Sequence, residues 1–118
     1  MCSILLVEDH ADTRRVLARV LDHWGHHVST ARSMAQALAL ARATDFDAIV
    51  SDIGLTDGDG CAFVQEVKNT VCARALKVAV TAYTTEGYRT KAKVAGYHHF
   101  FAKPIDLERL KAVLSTVL

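Results

Sequence analysis

The sequence predicts an α/β fold, an open and doubly wound parallel sheet, and three observations lead there. Short apolar runs recur at Ile4 to Val7, Ala48 to Val50, Leu76 to Val80 and Phe100 to Ala102, with a weaker strand around Val28 to Ala31. The strongest runs are apolar at successive positions rather than alternating, as in parallel strands covered on both faces. Helical patterns separate them, and parallel neighbours need such crossovers because no tight turn can join them. The 118 residues fit one domain, residues 1–118, because single domains run to about 100–200 residues.

The first strand leads into a helix over Ala11 to Trp24, where Val16, Leu17, Val20, Leu21 and Trp24 recur at three- and four-residue steps and Gly25 supplies the stop. After the second strand, Ser33 and Gln36 form a candidate capping box before Met34, Ala37, Leu38 and Ala41. The third helix begins after Gly60 and carries Phe63, Val64 and Val67. The fourth runs from about Thr85 to Ala95, with Tyr88, Ala92 and Ala95 on one face and Gly96 ending it. Asp106 caps a last helix faced by Leu107, Leu110, Leu114 and Val117. The sum is five strand-helix units without repeat, linker or low-complexity tract.

Composition narrows the function classes. The chain is 51% hydrophobic and 23% charged, a globular balance. Fourteen basic residues against 13 acidic leave a net charge of +1, with no electrostatic pull toward nucleic acid or anionic lipid. No apolar run reaches the roughly 18 residues of a membrane span, and the start has acids where a signal peptide carries bases, so a cytoplasmic protein is expected. Cys2, Cys61 and Cys72 are an odd set without metal-site spacing and read as reduced, packed thiols. The pairs His26-His27 and His98-His99 read as packing or solvated residues, and Arg14, Arg15 and Arg19 as a solvated helix face.

The chemistry lies at the ends of the strands. Glu8 and Asp9 follow the first strand, Asp52 the third, Thr81 ends the fourth and Lys103 follows the fifth. Ligands of open α/β sheets bind outside the carboxyl ends, so these five residues converge on one crevice. Three carboxylates there repel one another unless a cation sits among them. Magnesium suits best, since it takes oxygen ligands and commonly works with carboxylates and a phosphate; manganese is an alternative. Lys103 and the Thr81 hydroxyl suit phosphoryl oxygens, and Asp52, followed by the Gly54 to Gly60 loop, is the natural carboxylate nucleophile. Asp9 or Asp12 alone would equally suit a plain helix cap.

Together the stretches LLVEDH, IVSDIGL, VAVTAY and FFAKP resemble the receiver domains of two-component response regulators, nearly end to end. The resemblance implies a flavodoxin-like (βα)5 fold with sheet order 2-1-3-4-5. It implies that Glu8, Asp9, Asp52 and the Gly54 carbonyl hold Mg2+, that Asp52 is the phosphoacceptor, and that Lys103 grips the phosphoryl group. Thr81 and Phe100 would act as switch residues that alter the surface of the fourth helix, fifth strand and fifth helix. A cis Lys103-Pro104 bond is implied as well, and only bonds before proline take that form at modest cost.

The implied partners are a sensor histidine kinase or a histidine phosphotransfer domain, with the first helix as docking surface. A downstream protein target and a phosphorylation-linked dimer also belong to the family's repertoire. The sequence departs from the pattern at Thr56, where proline is usual, at Glu8, where aspartate is commoner, and at Phe100, which lacks a tyrosine hydroxyl. Gly54 and Tyr83, two residues after Asp52 and Thr81, bear on the lifetime of the phosphoryl group. The IGLTDG wording resembles receivers joined to hybrid sensor kinases.

Competing chemistries fail on the same residues. A phosphatase of the haloacid dehalogenase type needs a second acid where Gly54 stands, no G-K-[ST] closes the glycine-rich loop, and the Asp57 to Gly60 stretch lacks calcium ligands in register. The alternative that survives is a receiver-shaped interaction module that works without phosphate.

Overall fold

A computed structural model describes residues 2–53, 60–82 and 86–117. Strands β1 (Ser3–Val7), β2 (His27–Ala31), β3 (Ala48–Asp52), β4 (Leu76–Thr81) and β5 (His99–Ala102) alternate with helices α1 (Ala11–His23), α2 (Met34–Ala43), α3 (Gly60–Val67), α4 (Glu86–Ala95) and α5 (Leu107–Leu114). All the strand pairs are parallel, in the order β2-β1-β3-β4-β5.

The unbroken apolar runs have the cause inferred from sequence. Ile4, Leu6, Val50, Val78, Val80 and Phe101 face Leu17 and Leu21 of α1 and Leu110, Val113 and Leu114 of α5. Leu5, Val7 and Ile49 face Ala37 and Ala41 of α2 and Phe63 and Val67 of α3. Ile53 and Ala79 pack with Val64 of α3 and with Ala92 and Ala95 of α4. Successive side chains point to opposite faces, so both faces are dry and the strands cannot alternate in polarity.

Local punctuation follows the sequence with some corrections. Gly25 (φ 91°) and Gly96 (φ 128°) take the left-handed conformation after α1 and α4. The Ser33 hydroxyl accepts from the Gln36 amide at 3.1 Å. The Gln36 side chain returns to the Arg32 amide at 2.9 Å, not to that of Ser33, so the box closes one residue early. Asp106 caps α5 through the Arg109 amide at 3.2 Å. Val16 departs from its expected place in the core. It lies 61% exposed, because the buried stripe of α1 is centred on Leu17 and Leu21. The last helix gives way to a 3-10 turn at Ser115–Val117, and Leu107 at its start is 39% exposed. Thr85 and the side chains of Tyr88 and Val117 lie outside the described residues.

Two histidines secure the amino-terminal edge of the sheet, a role that composition did not reveal. At one side the Cys2 amide donates to His26 Nδ1 at 3.2 Å while the His27 amide donates to the Cys2 carbonyl at 2.8 Å. At the other, the Lys77 amide donates to His98 Nδ1 at 2.9 Å and the His98 amide donates to the Lys77 carbonyl at 2.8 Å. Each histidine must be neutral at Nδ1 to accept. Burial lowers the pKa of both, and the charges of Lys77 and His99 lower that of His98 further.

A lowered folded-state pKa means that the unfolded chain binds protons more readily just below its own value of 6.5. This stabilisation is therefore complete above 6.5 and is lost as the pH falls below it. Thermal melts from about pH 7.5 to about 5.5 should show a falling Tm, and His98→Asn, which keeps an acceptor but cannot titrate, should flatten the fall. His98→Ala should cost about 1 kcal/mol at neutral pH.

Candidate functional site

Register brings the strand ends to one level. Val7 pairs with Ser51, Asp52 with Val80, and Thr81 with Ala102, so the residues that follow β1 and β5 rise beside the ends of β3 and β4. The ladder bonds continue past the strands: the Glu8 amide donates to the Ala31 carbonyl and the Lys103 amide to the Thr81 carbonyl, each at 2.9 Å. Glu8 and Lys103 are thus fixed by backbone before any side chain acts.

Glu8, Asp9 and Asp52 form the carboxylate cluster expected from the sequence, each offering an oxygen within 4.8 Å of the others. Glu8 and Asp52 are 2% and 9% exposed, and Thr81 is fully buried. Lys103 Nζ donates to Glu8 Oε1 at 2.6 Å and to Asp52 Oδ2 at 2.9 Å. The Lys103-Pro104 peptide bond is cis.

The electrostatics show a balance under load. Burial raises the Glu8 pKa above its ordinary 4.5, Lys103 opposes that rise, and the charge of Asp52 adds to it. Burial disfavours the Lys103 ammonium, yet its two carboxylate partners outweigh this and hold its pKa above the ordinary lysine value. One ammonium thus serves two of three clustered carboxylates. An all-oxygen cluster with a surplus of negative charge fits a hard divalent ion such as magnesium.

The helix-cap reading of Asp9 and Asp12 fails, since the N-cap of α1 is His10 and its side chain makes no capping bond. Asp12 pairs instead with Arg15 at 3.6 Å on the surface. Arg14, read from sequence as part of a solvated face, is a positioning residue for the cluster. Its Nη1 donates to the Glu8 carbonyl at 2.9 Å and to the Asp9 carbonyl at 3.5 Å, tying α1 to the segment that carries both acids. Its place on the first turns of a helix that starts just after the acidic pair was the available signal.

Phe100 stands apart from the carboxylates. It pairs with Ala79, lies half-buried against the cluster formed by Ile53, Val64 and Ala92, and carries the Arg89 guanidinium over its ring at 5.0 Å. Gly54, Thr56 and Tyr83 lie outside the described residues.

Comparison with known proteins agrees with this geometry. The family model described as response regulator receiver domain matches residues 4–115. The transcriptional regulatory protein ZraR of Escherichia coli K12 is 32% identical over 98% of this chain, which covers 26% of that protein. The KDP operon transcriptional regulatory protein KdpE of the same strain is 30% identical over the whole chain, which covers 52% of it. The chain therefore spans only a quarter to half of these curated relatives. The chemotaxis protein CheY4 of Vibrio cholerae superposes with a TM-score of 0.91 at 28% identity, covering 100% of this chain and 99% of that one. The receiver domain of sensor histidine kinase PA1611 from Pseudomonas aeruginosa PAO1, solved with magnesium in its active-site cleft, gives 0.89 at 29% identity, covering 98% and 95%. With its fold, its acidic crevice and these relatives agreeing, the chain belongs to the response regulator receiver domain family, the phosphoacceptor domains of two-component signalling.

Proposed function

We propose that Asp52 is the residue that takes the phosphoryl group, from a phosphohistidine of a sensor histidine kinase or a histidine phosphotransfer domain, and that residues 1–118 act as one receiver. The observation that carries this reading is Lys103 Nζ bridging Glu8 and Asp52 within a cluster of three carboxylates. Glu8, Asp9, Asp52 and the Gly54 carbonyl would hold Mg2+, or Mn2+ in its place. The ion, when bound, neutralises charge on the transferred group.

An Asp52 carboxylate oxygen attacks phosphorus. The O–P bond forms as the N–P bond to the donor imidazole breaks, and the electron pair leaves on that nitrogen, which then takes a proton. Lys103 shifts its hydrogen bonds onto the phosphoryl oxygens, and the Thr81 hydroxyl donates to another. The same groups assist transfer from the acyl phosphate to water, in which a water oxygen bonds phosphorus as the Asp52 O–P bond breaks, the carboxylate is regenerated and inorganic phosphate leaves, so the domain promotes both its own phosphorylation and its own dephosphorylation. Thr81 and Phe100 then switch the surface formed by α4, β5 and α5, which meets a downstream protein or a second copy of the chain.

For donor docking we assign the groove between α1 and the β5–α5 segment. It measures about 600 Å3 and is lined by Val16, Leu17, Pro104, Ile105 and Leu107 together with the polar Asp12, Thr13 and Lys103. The exposure of Val16 there has a use, since an apolar surface beside the acceptor is what a partner helix covers. Among the described residues no helix is long and apolar enough to cross a membrane. We place the domain in the cytoplasm, where Cys2, Cys61 and Cys72, all buried, remain reduced thiols. The PA1611 neighbour supports a receiver carried by a hybrid sensor kinase, and the ZraR and KdpE relatives support one carried by a transcriptional regulator.

Incubation with magnesium and acetyl phosphate should add one phosphoryl group by mass spectrometry, base-labile and absent from Asp52→Asn. A folded, magnesium-binding chain that gains nothing, even from a phosphorylated histidine phosphotransfer domain, would instead support a phosphate-independent module.

Loss of the bridging ammonium should separate two readouts. Lys103→Ala should slow labelling by about 10²-fold, as for loss of one transition-state donor. It should also lower the magnesium concentration needed for half-maximal binding, because the carboxylates lose their internal counter-charge. Tyr83→Ala should change the decay rate of the adduct, and an unchanged half-life would remove Tyr83 from the lifetime assignment.

A further inference from the structure

We propose that the groove between α1 and β2, at the open edge of the sheet, binds an oligophosphate, and that Arg14 carries its occupancy to the backbone of the acidic pair.

Two adjoining hollows share Arg14 and Thr30 as walls. The larger, about 450 Å3, lies between α1 and β2 and adds Arg15, Arg19 and Val28. The smaller, about 200 Å3, adds Arg32 and Gln36. Four of the chain's eight arginines therefore surround one short groove, and none of its six lysines does. Arg15 and Arg19 stand four residues apart on α1 and so share a face, while Ala11 and Ala18 beside them are too short to fill the space. Val28 and Thr30, two apart on β2, point to the same side of the strand.

The charges of this groove are largely unspent. Arg15 pairs with Asp12 at 3.6 Å, but both side chains stand mostly in solvent, where such a pair contributes little. Arg19 and Arg32 are exposed and pair with no carboxylate among the described residues. Asp22 is the one acid in the described lining. The Arg32 amide occupies Gln36 Oε1 at 2.9 Å, which leaves the Gln36 NH2 as a donor. Guanidinium forks, a hydroxyl and an amide donor are the chemistry that holds phosphate. Hollows that meet at Arg14 and Thr30 suit successive phosphates, because an oligophosphate gathers several charges within reach of all four arginines. A nucleic acid spreads its charge along a backbone and needs a longer basic track.

Arg14 connects the groove to the acids. It is half-buried, and its Nη1 donates to the Glu8 and Asp9 carbonyls, while its Nε and Nη2 make no bond among the described residues. A phosphate that takes the Nε–Nη2 edge pins the guanidinium together with the two carbonyls it already holds. Occupancy thereby stiffens the segment that presents Glu8 and Asp9.

The test titrates the full chain with tripolyphosphate in metal-free buffer, read by calorimetry, so that no magnesium competes for the probe. One equivalent should bind, and Arg19→Gln and Arg32→Gln should each weaken binding about fivefold. Both residues are exposed, so these variants keep the fold. Adenosine triphosphate run alongside separates the sources: equal or weaker binding assigns the groove to free oligophosphate, and tighter binding to a nucleotide. Unchanged affinity in both variants, equal binding of orthophosphate, or tighter binding of oligoglutamate or duplex DNA overturns the oligophosphate. The amide resonances of Asp9 and His10, whose peptide bonds Arg14 holds, should shift at saturation in the wild type and not in Arg14→Gln. Resonances that stay fixed in the wild type, or shift equally in the variant, overturn the coupling. No phosphoryl transfer is involved, so the outcome is independent of the role of Asp52.

Discussion

One contact spans the chain: Lys103 Nζ, 95 residues from Glu8 and 51 from Asp52, holds an oxygen of each. Taking these charges out of water is expensive, and such pairs often stabilise a fold no more than well-packed apolar residues would. The contact is better understood as a constraint on the fold. Three carboxylates can share one crevice only where a cation meets them, so the end of β5 must return to the level of β1 and β3. The order β2-β1-β3-β4-β5 achieves this, because β1 and β3 are neighbours and their outgoing connections diverge above them. The gap that opens between those connections is where Glu8, Asp9 and Asp52 meet.

The two edges of the sheet then have opposite characters. At the amino-terminal edge every notable polar group is matched locally. His98 exchanges reciprocal bonds with Lys77, and the Cys2 amide and carbonyl are matched by His26 Nδ1 and the His27 amide. The Asp47 carboxylate accepts from the Ser3 amide at 2.8 Å, and the buried Lys77 ammonium donates to the Ala73 and Ala75 carbonyls at 2.8 and 2.9 Å. At the carboxyl edge, one ammonium is shared between two acids and burial works against Glu8. Stability is gathered away from the acidic crevice, and the polar cost is concentrated where a metal ion and a phosphoryl group would relieve it.

This division explains what was legible in the sequence. The strands could be read because both their faces are dry, which writes an unbroken apolar run into Ile4 to Val7 and Ala48 to Val50. Glu8, Asp9, Asp52, Thr81 and Lys103 could be read because each falls at the end of such a run, and topology alone then brings them together. Val16, Arg14, His26 and His98 could not. Val16 has the helical spacing of a core residue, and only the rotation of α1 about Leu17 and Leu21 turns it outward. Arg14 acts on backbone carbonyls, and the two histidines act on backbone amides. Bonds to main chain leave no complementary residue in the sequence to be noticed.

The position of the proposed switch follows from the same asymmetry. Strands β1 and β3 are buried between strands and helices, so a shift there would disturb both cores at once. Strand β5 is a short edge strand that pairs only with β4, over Val78–His99 to Thr81–Ala102. Phe101 anchors it to the α1 and α5 side, while Phe100, its neighbour, is half-buried on the other. A phosphoryl group that draws on Thr81 therefore pulls at the last pair of a four-residue ladder, with Phe100 two positions before its end. Moving one half-buried ring at an edge would open no large cavity, so the proposed switch calls for a gap between its two states of only about 1–3 kcal/mol, which contacts at the acceptor site would be able to reverse.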